Sequence, residues 1–326
     1  MHLFTYFPNM KKYLLILLLF VALPVFSQNI GKQNFEKGKL LFQKAYYDSA
    51  SKFLTDASIY YERSQEWQDY LQASLLLVES YNLMYKLKAA AQEADKLVKN
   101  IEKNLGANSS QSAWAYYAAA QTNYYEGNYI PALRKYEHAY QLIENQGLAE
   151  LEARIFLGKG DIFYIQDNYH QSISLYQKAQ EIILGNLPAD SHLTGEMFLI
   201  FGNYHRNQGS YSLALEDYEK ALDIFKKHYG EKHPLVASVY IGIGDVNQYK
   251  GALDVAMDYY QQALIINKTF LGAFHPNYSD AYLGIADVHK AEGNNSEAFN
   301  YYNAALDLYD ITVGVYHPGV VRCFLP

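Results

Sequence analysis

The sequence has one cysteine, Cys323, in 326 residues. A single thiol closes no intramolecular disulfide and builds no cysteine-based zinc cluster. Basic charge is also scarce. The 27 Lys and Arg are outnumbered by 34 Asp and Glu, for a formal charge of -7. Without a basic tract the chain lacks the contacts that phosphate groups require, so nucleic acid and anionic membrane surfaces are not expected partners. No HExxH motif and no histidine pair at i, i+4 occurs, and Gly158-x-Gly160 and Gly242-x-Gly244 both lack the third glycine of a phosphate loop. No metal, cofactor or catalytic residue is therefore expected. Cys323 itself is read as a small packed residue rather than a nucleophile, because counting from Pro318 it matches Val239 and Ala281 in the repeats described below.

Long apolar runs are absent except near the start. Lys11 and Lys12 precede an unbroken apolar run over residues 14–23, followed by Pro24, Val25, Phe26 and Ser27. A charged region, an apolar stretch too short to span a bilayer and a small residue at the cleavage position make a signal peptide over residues 1–27. Cleavage after Ser27 leaves Gln28 as the first mature residue, and Met10 is an alternative start. The pattern looks bacterial, and the chain is expected to be exported, periplasmic or extracellular, with no membrane span in the mature chain.

What is abundant is apolar surface, half of all residues, and tyrosine, with 33 copies. Tyrosine buries a ring and keeps a hydroxyl at an edge, which suits helix seams and binding surfaces. These residues recur in order. His-Pro stands at His233-Pro234, His275-Pro276 and His317-Pro318, in steps of 42 residues, with a weaker copy at His192-Leu193. Within one unit the pattern is Gly202, Gly209, Tyr211, Ala214, Tyr218, Ala221, and the next unit repeats it as Gly244, Gly251, Leu253, Ala256, Tyr260, Ala263. Ala286, Gly160 and Ala120 open further copies, and fainter ones begin at Val78 and Gly38. Seven units result, over residues 28–314, with 315–326 starting an incomplete eighth.

The spacing predicts two antiparallel helices per unit. The small first residue lets helix A approach its neighbour. The glycine seven residues later supplies the positive φ that ends the helix. Small, aromatic and small residues at steps of four and three lie along one stripe of helix B. Pro131 fits the first turn of a helix B, and the His-Pro prolines open the next helix A.

These residues resemble the tetratricopeptide repeat, most closely the 42-residue variety named for kinesin light chain. The resemblance covers roughly residues 30–326. It implies an all-α, right-handed superhelical solenoid of antiparallel helix hairpins, whose concave face, lined by helix A, holds peptides or partner domains. In that variety a pair of asparagines often precedes the small residue of helix A. Here Ile241-Gly242 and Leu283-Gly284 stand in those places, so that asparagine ladder is missing.

On this reading the residue after each small position, Gln121, Asp161, Asn203, Asp245 and Asp287, forms a polar ladder along the inner face. Tyr124, Tyr125, Tyr164 and Tyr249 lie about one turn further on. Together they are the expected partner-binding residues, able to hydrogen-bond a peptide backbone and stack on its side chains. The function expected is a non-catalytic protein-interaction scaffold. The alternative is the docking or sensing arm of a larger bacterial enzyme or signalling protein, such as a caspase-like peptidase or a sensor kinase. The eighth unit is too short to cap the array, so self-association through that end is also expected.

Overall fold

The computed structural model describes residues 30–271 and 277–312. The predicted signal peptide, the His275-Pro276 and His317-Pro318 junctions, Cys323 and the incomplete eighth unit lie outside the described residues. Within them the chain forms fourteen helices and no strand. In order these are α1 (30–43), α2 (Tyr47–Ser64), α3 (Trp67–Leu83), α4 (Leu87–Leu105), α5 (Ser110–Tyr125), α6 (Tyr129–Ile143), α7 (Ala149–Ile165), α8 (Tyr169–Asn186), α9 (His192–Asn207), α10 (Tyr211–Tyr229), α11 (Pro234–Tyr249), α12 (Leu253–Phe270), α13 (Asn277–Ala291) and α14 (Asn295–Thr312).

Each odd helix and the even helix after it form a hairpin, and the turn between them is built the same way seven times. Ala45, Tyr85, Gly127, Asp167, Gly209, Gly251 and Gly293 all have positive φ, between 52° and 82°. The next residue donates its N–H five residues back, as in Asn128 to Asn123 (2.8 Å), Ser210 to His205 (2.9 Å) and Ala252 to Asn247 (2.9 Å). This is the Schellman closure, which satisfies carbonyls left open at a helix end. The position fixed by the sequence pattern is thus the position that turns the chain, even where it is alanine, tyrosine or aspartate.

The predicted alanine stripe is the seam. Ala214, Ala221, Ala256, Ala263 and Ala305 are fully buried, and Ala298 nearly so. Between these alanines sits a tyrosine, and the glycines of helix A make room for its ring. A Cβ on Gly202 would lie 2.6 Å from the Tyr218 ring, and one on Gly242, from the following hairpin, 2.4 Å from it. Tyr260 is held likewise between Gly244 and Gly284. Gly158 and Gly160 adjoin Tyr136 and Tyr176. The G-x-G pairs lie inside helices α7 and α11. They are ring notches, with no loop to cradle a phosphate.

The junction histidine caps a helix. His233 Nδ1 accepts from the Leu235 N–H (3.2 Å), Pro234 opens α11, and the imidazole stacks on Tyr229 at 4.3 Å. Burial pulls its pKa down to about 4. The weaker copy at His192-Leu193 needs correction by one residue. Ser191 is the cap of α9, its Oγ accepting from the Thr194 N–H (3.2 Å), and His192 is released to contact Arg154. Serine is the better cap, since its oxygen sits close to the backbone it serves.

From α5 onward, each odd helix packs most extensively on the even helix that follows. Between α2 and α5, contact between successive hairpins rivals contact within them. The first hairpin also meets the sixth. Tyr46, in the first turn, packs on Phe270 at the end of α12 with ring centroids 5.4 Å apart. None of the described helices is long and apolar enough to cross a membrane.

Candidate functional site

The polar ladder lies where the spacing puts it, but its groups already have partners. Tyr176, Tyr218, Tyr260 and Tyr302 each reach back fifteen residues and donate to Asp161 (2.7 Å), Asn203 (2.8 Å), Asp245 (2.7 Å) and Asp287 (2.5 Å). Asp245 also accepts from Arg206 at 2.5 Å. Four of the ladder's five rungs lock helix B onto helix A, because a ring lodged in the glycine notch carries its hydroxyl to that carboxylate or amide. Gln121 departs from the rule and donates to Tyr117 (3.0 Å). Its counterpart Tyr136 is therefore fully buried with no hydrogen-bond partner for its hydroxyl.

The expected tyrosines divide into two groups. Tyr124 and Tyr125 end α5 and pack edge to face at 5.6 Å, and Tyr85 meets Tyr125 at 5.7 Å. Tyr164 contacts Tyr169 at 5.4 Å and accepts from Asn207. Tyr249 is stacked on Tyr211 (5.9 Å, 13°) and is 60% exposed, apart from the first cluster.

Three further residues of this face were not among the expected ones. Glu79 on α3, Arg154 on α7 and Glu196 on α9 come from the second, fourth and fifth hairpins, yet they interact electrostatically with one another and with Tyr117. These side chains lie within electrostatic range of one another although their helices, α3, α7 and α9, do not pack extensively together. Glu79 remains open to water although protein atoms crowd around it. Lost hydration pushes its carboxyl up to about 7, with Arg154 opposing and Glu196 adding to the rise. Burial likewise raises Asp161 to about 6, against the hydrogen bond from Tyr176 and with further upward pressure from Glu196. Arg154 is already engaged, with Nε donating to Glu150 (3.1 Å) and Nη2 lying 2.5 Å from His192 Nε2.

Two signals in the sequence mark these residues. Glu79 follows Val78, the small position of the second unit, and is a rung of the same ladder. Arg154 and Glu196 are separated by one 42-residue step, six residues before Gly160 and Gly202. Among the described residues no group of three His, Cys, Asp or Glu side chains is placed to hold a metal ion.

No curated protein matches the chain in sequence. Solved structures match it in fold. BtubC (BKLC) from P. vanneervenii is 20% identical, with 72% of this chain and 92% of that one covered at a TM-score of 0.50. NprR in complex with its cognate peptide NprX is 19% identical over 78% of this chain and 72% of that one, at 0.58. Rap protein complexed with Competence and Sporulation Factor is 17% identical over 91% and 86%, at 0.59. The model of the tetratricopeptide repeat matches residues 151–227, 193–269 and 256–311, and with the repeated hairpin geometry this makes the chain a member of the tetratricopeptide-repeat family.

Proposed function

We propose that this protein is a non-catalytic scaffold that binds an extended peptide segment of a partner on the inner face of the solenoid. The observation that carries this reading is the meeting of Glu79, Tyr117, Arg154 and Glu196 from four hairpins on one surface. Half-buried tyrosines beside charged groups give the apolar area and the directional contacts that a peptide needs. NprR and Rap, the two neighbours described with a bound peptide or factor, support it. The predicted signal peptide places the interaction outside the cytoplasm on the same proposal.

The test is site-specific photo-crosslinking in the producing cell. A photoreactive side chain at Tyr117 is expected to capture a partner, whereas one at Ile265, 63% exposed on α12, is not. Capture from position 265 alone would overturn the inner-face reading.

A further inference from the structure

Around α5 the inner face gathers tyrosine rings beside carboxylates. Tyr117, Tyr124 and Tyr125 are all partly open to solvent and lie on one helix. Tyr125 is flanked by the rings of Tyr124 (5.6 Å) and Tyr85 (5.7 Å) and interacts electrostatically with Glu79. Tyr124 interacts in the same way with Asp161. Three carboxylates, Glu79, Asp161 and Glu196, thus border one aromatic wall. The guanidinium beside them, Arg154, is shared with Glu150 and His192. A separate observation points to the same place. The Tyr136 hydroxyl is fully buried and unpartnered, and its electrostatic neighbours are Tyr117, Asp161, Tyr124 and Tyr125. In the four later hairpins the equivalent hydroxyl is satisfied by the ladder.

Electron-rich ring faces next to carboxylates of reduced hydration favour a cation over an anion or a neutral group. We propose that this wall seats a lysine or arginine side chain of the bound peptide, stacked on Tyr124 and Tyr125 and neutralised by Glu79 and Asp161. The inference rests on the inner-face reading above and narrows it to basic ligands.

The experiment uses the full chain and three sets of fluorescent peptides with blocked termini, alike in length and apolar content. They carry lysine and arginine, or glutamate and aspartate, or glutamine at the same positions. Anisotropy is expected to show binding of the basic set, weakened by salt. Glu79→Gln and Tyr125→Ala should each reduce affinity by about tenfold, while Tyr125→Phe, which keeps the ring, should bind as the parent does. Circular dichroism checks that each variant is folded. Equal binding of the acidic or glutamine set, or basic binding indifferent to Glu79→Gln, overturns the cation site and leaves the inner-face reading standing. If none of the three sets binds, and crosslinks come only from position 265, both fall together.

Discussion

The hairpins from α9 to α12 and those from α1 to α6 solve the same packing problem differently. In the former, each helix B tyrosine is clasped by two glycines, each turn residue is glycine, and each hydroxyl meets a ladder group. In the latter, Leu54 and Ala94 stand at the tyrosine position of the first two hairpins. Ala45 and Tyr85 hold the left-handed turns, and Tyr136 has a ring in place without a partner for its hydroxyl. The regular region spends its polar groups on its own architecture. The irregular region leaves Glu79 and the partly open rings of Tyr85, Tyr117, Tyr124 and Tyr125 on the inner face, so its share of the ligand-reaching chemistry is aromatic.

The largest effect expected to sharpen this contrast is loss of a clasped ring. Tyr218→Ala should cost about 3–5 kcal/mol in denaturant unfolding, because a fully buried aromatic leaves a cavity between two glycines that cannot fill it. A cost below about 1 kcal/mol would show that the clasp is loose. Removing only the hydroxyl separates the regions more cleanly. Tyr218→Phe strands the Asn203 carbonyl and should cost about 1 kcal/mol, whereas Tyr136→Phe removes an unsatisfied buried group and should be neutral or stabilising. Equal losses in the two variants would break the comparison.

The turns give a third, slightly smaller test. Gly251→Ala should destabilise by about 1 kcal/mol, purely through backbone conformation, since nothing lies within 4 Å of the added Cβ. Ala45→Gly, with φ at 59°, should move stability the other way by up to about 1 kcal/mol. Thermal unfolding reads both.

The smallest effect is expected in pH dependence. Glu79 rises from 4.5 to about 7 in the folded chain, so the folded state binds the extra proton. Stability should therefore increase as pH falls from 7 toward 4.5, and Glu79→Gln should flatten that part of the profile. The groups facing Glu79 through this window are Arg154, Glu196 and the tyrosines Tyr47, Tyr117, Tyr125 and Tyr229. In the exposed cluster of Asp48 with Lys52 and Lys86 the shift is reversed. Hydrogen bonds from the two lysines hold Asp48 at about 2, so its contribution fades only in acid, as pH falls from 3.8 toward 2.

The hairpins, the alanine stripe and the turn positions were legible from residue spacing alone, because backbone geometry and close packing repeat with the chain. The partnering of the ladder was not. Tyr218 and Asn203 are each visible in the pattern, but the fifteen-residue reach that joins them depends on how deeply the ring sits in the glycine notch. Glu79 could have been placed on the ladder, although Val78 disguises its unit. The meeting of Glu79 with Arg154 and Glu196 could not, because it depends on how successive hairpins are placed and on no single spacing.

The contact between Tyr46 and Phe270 changes what kind of object the array is. An open solenoid is a line, and a line unravels from its ends, with each lost repeat exposing the next. Joining the first hairpin to the sixth makes a circuit of the hairpins between them. The first hairpin, α1–α2, is then no free end, and its fraying must first break a contact held by α12. That pair of aromatic rings closes the circuit, so loosening it returns the array to a line.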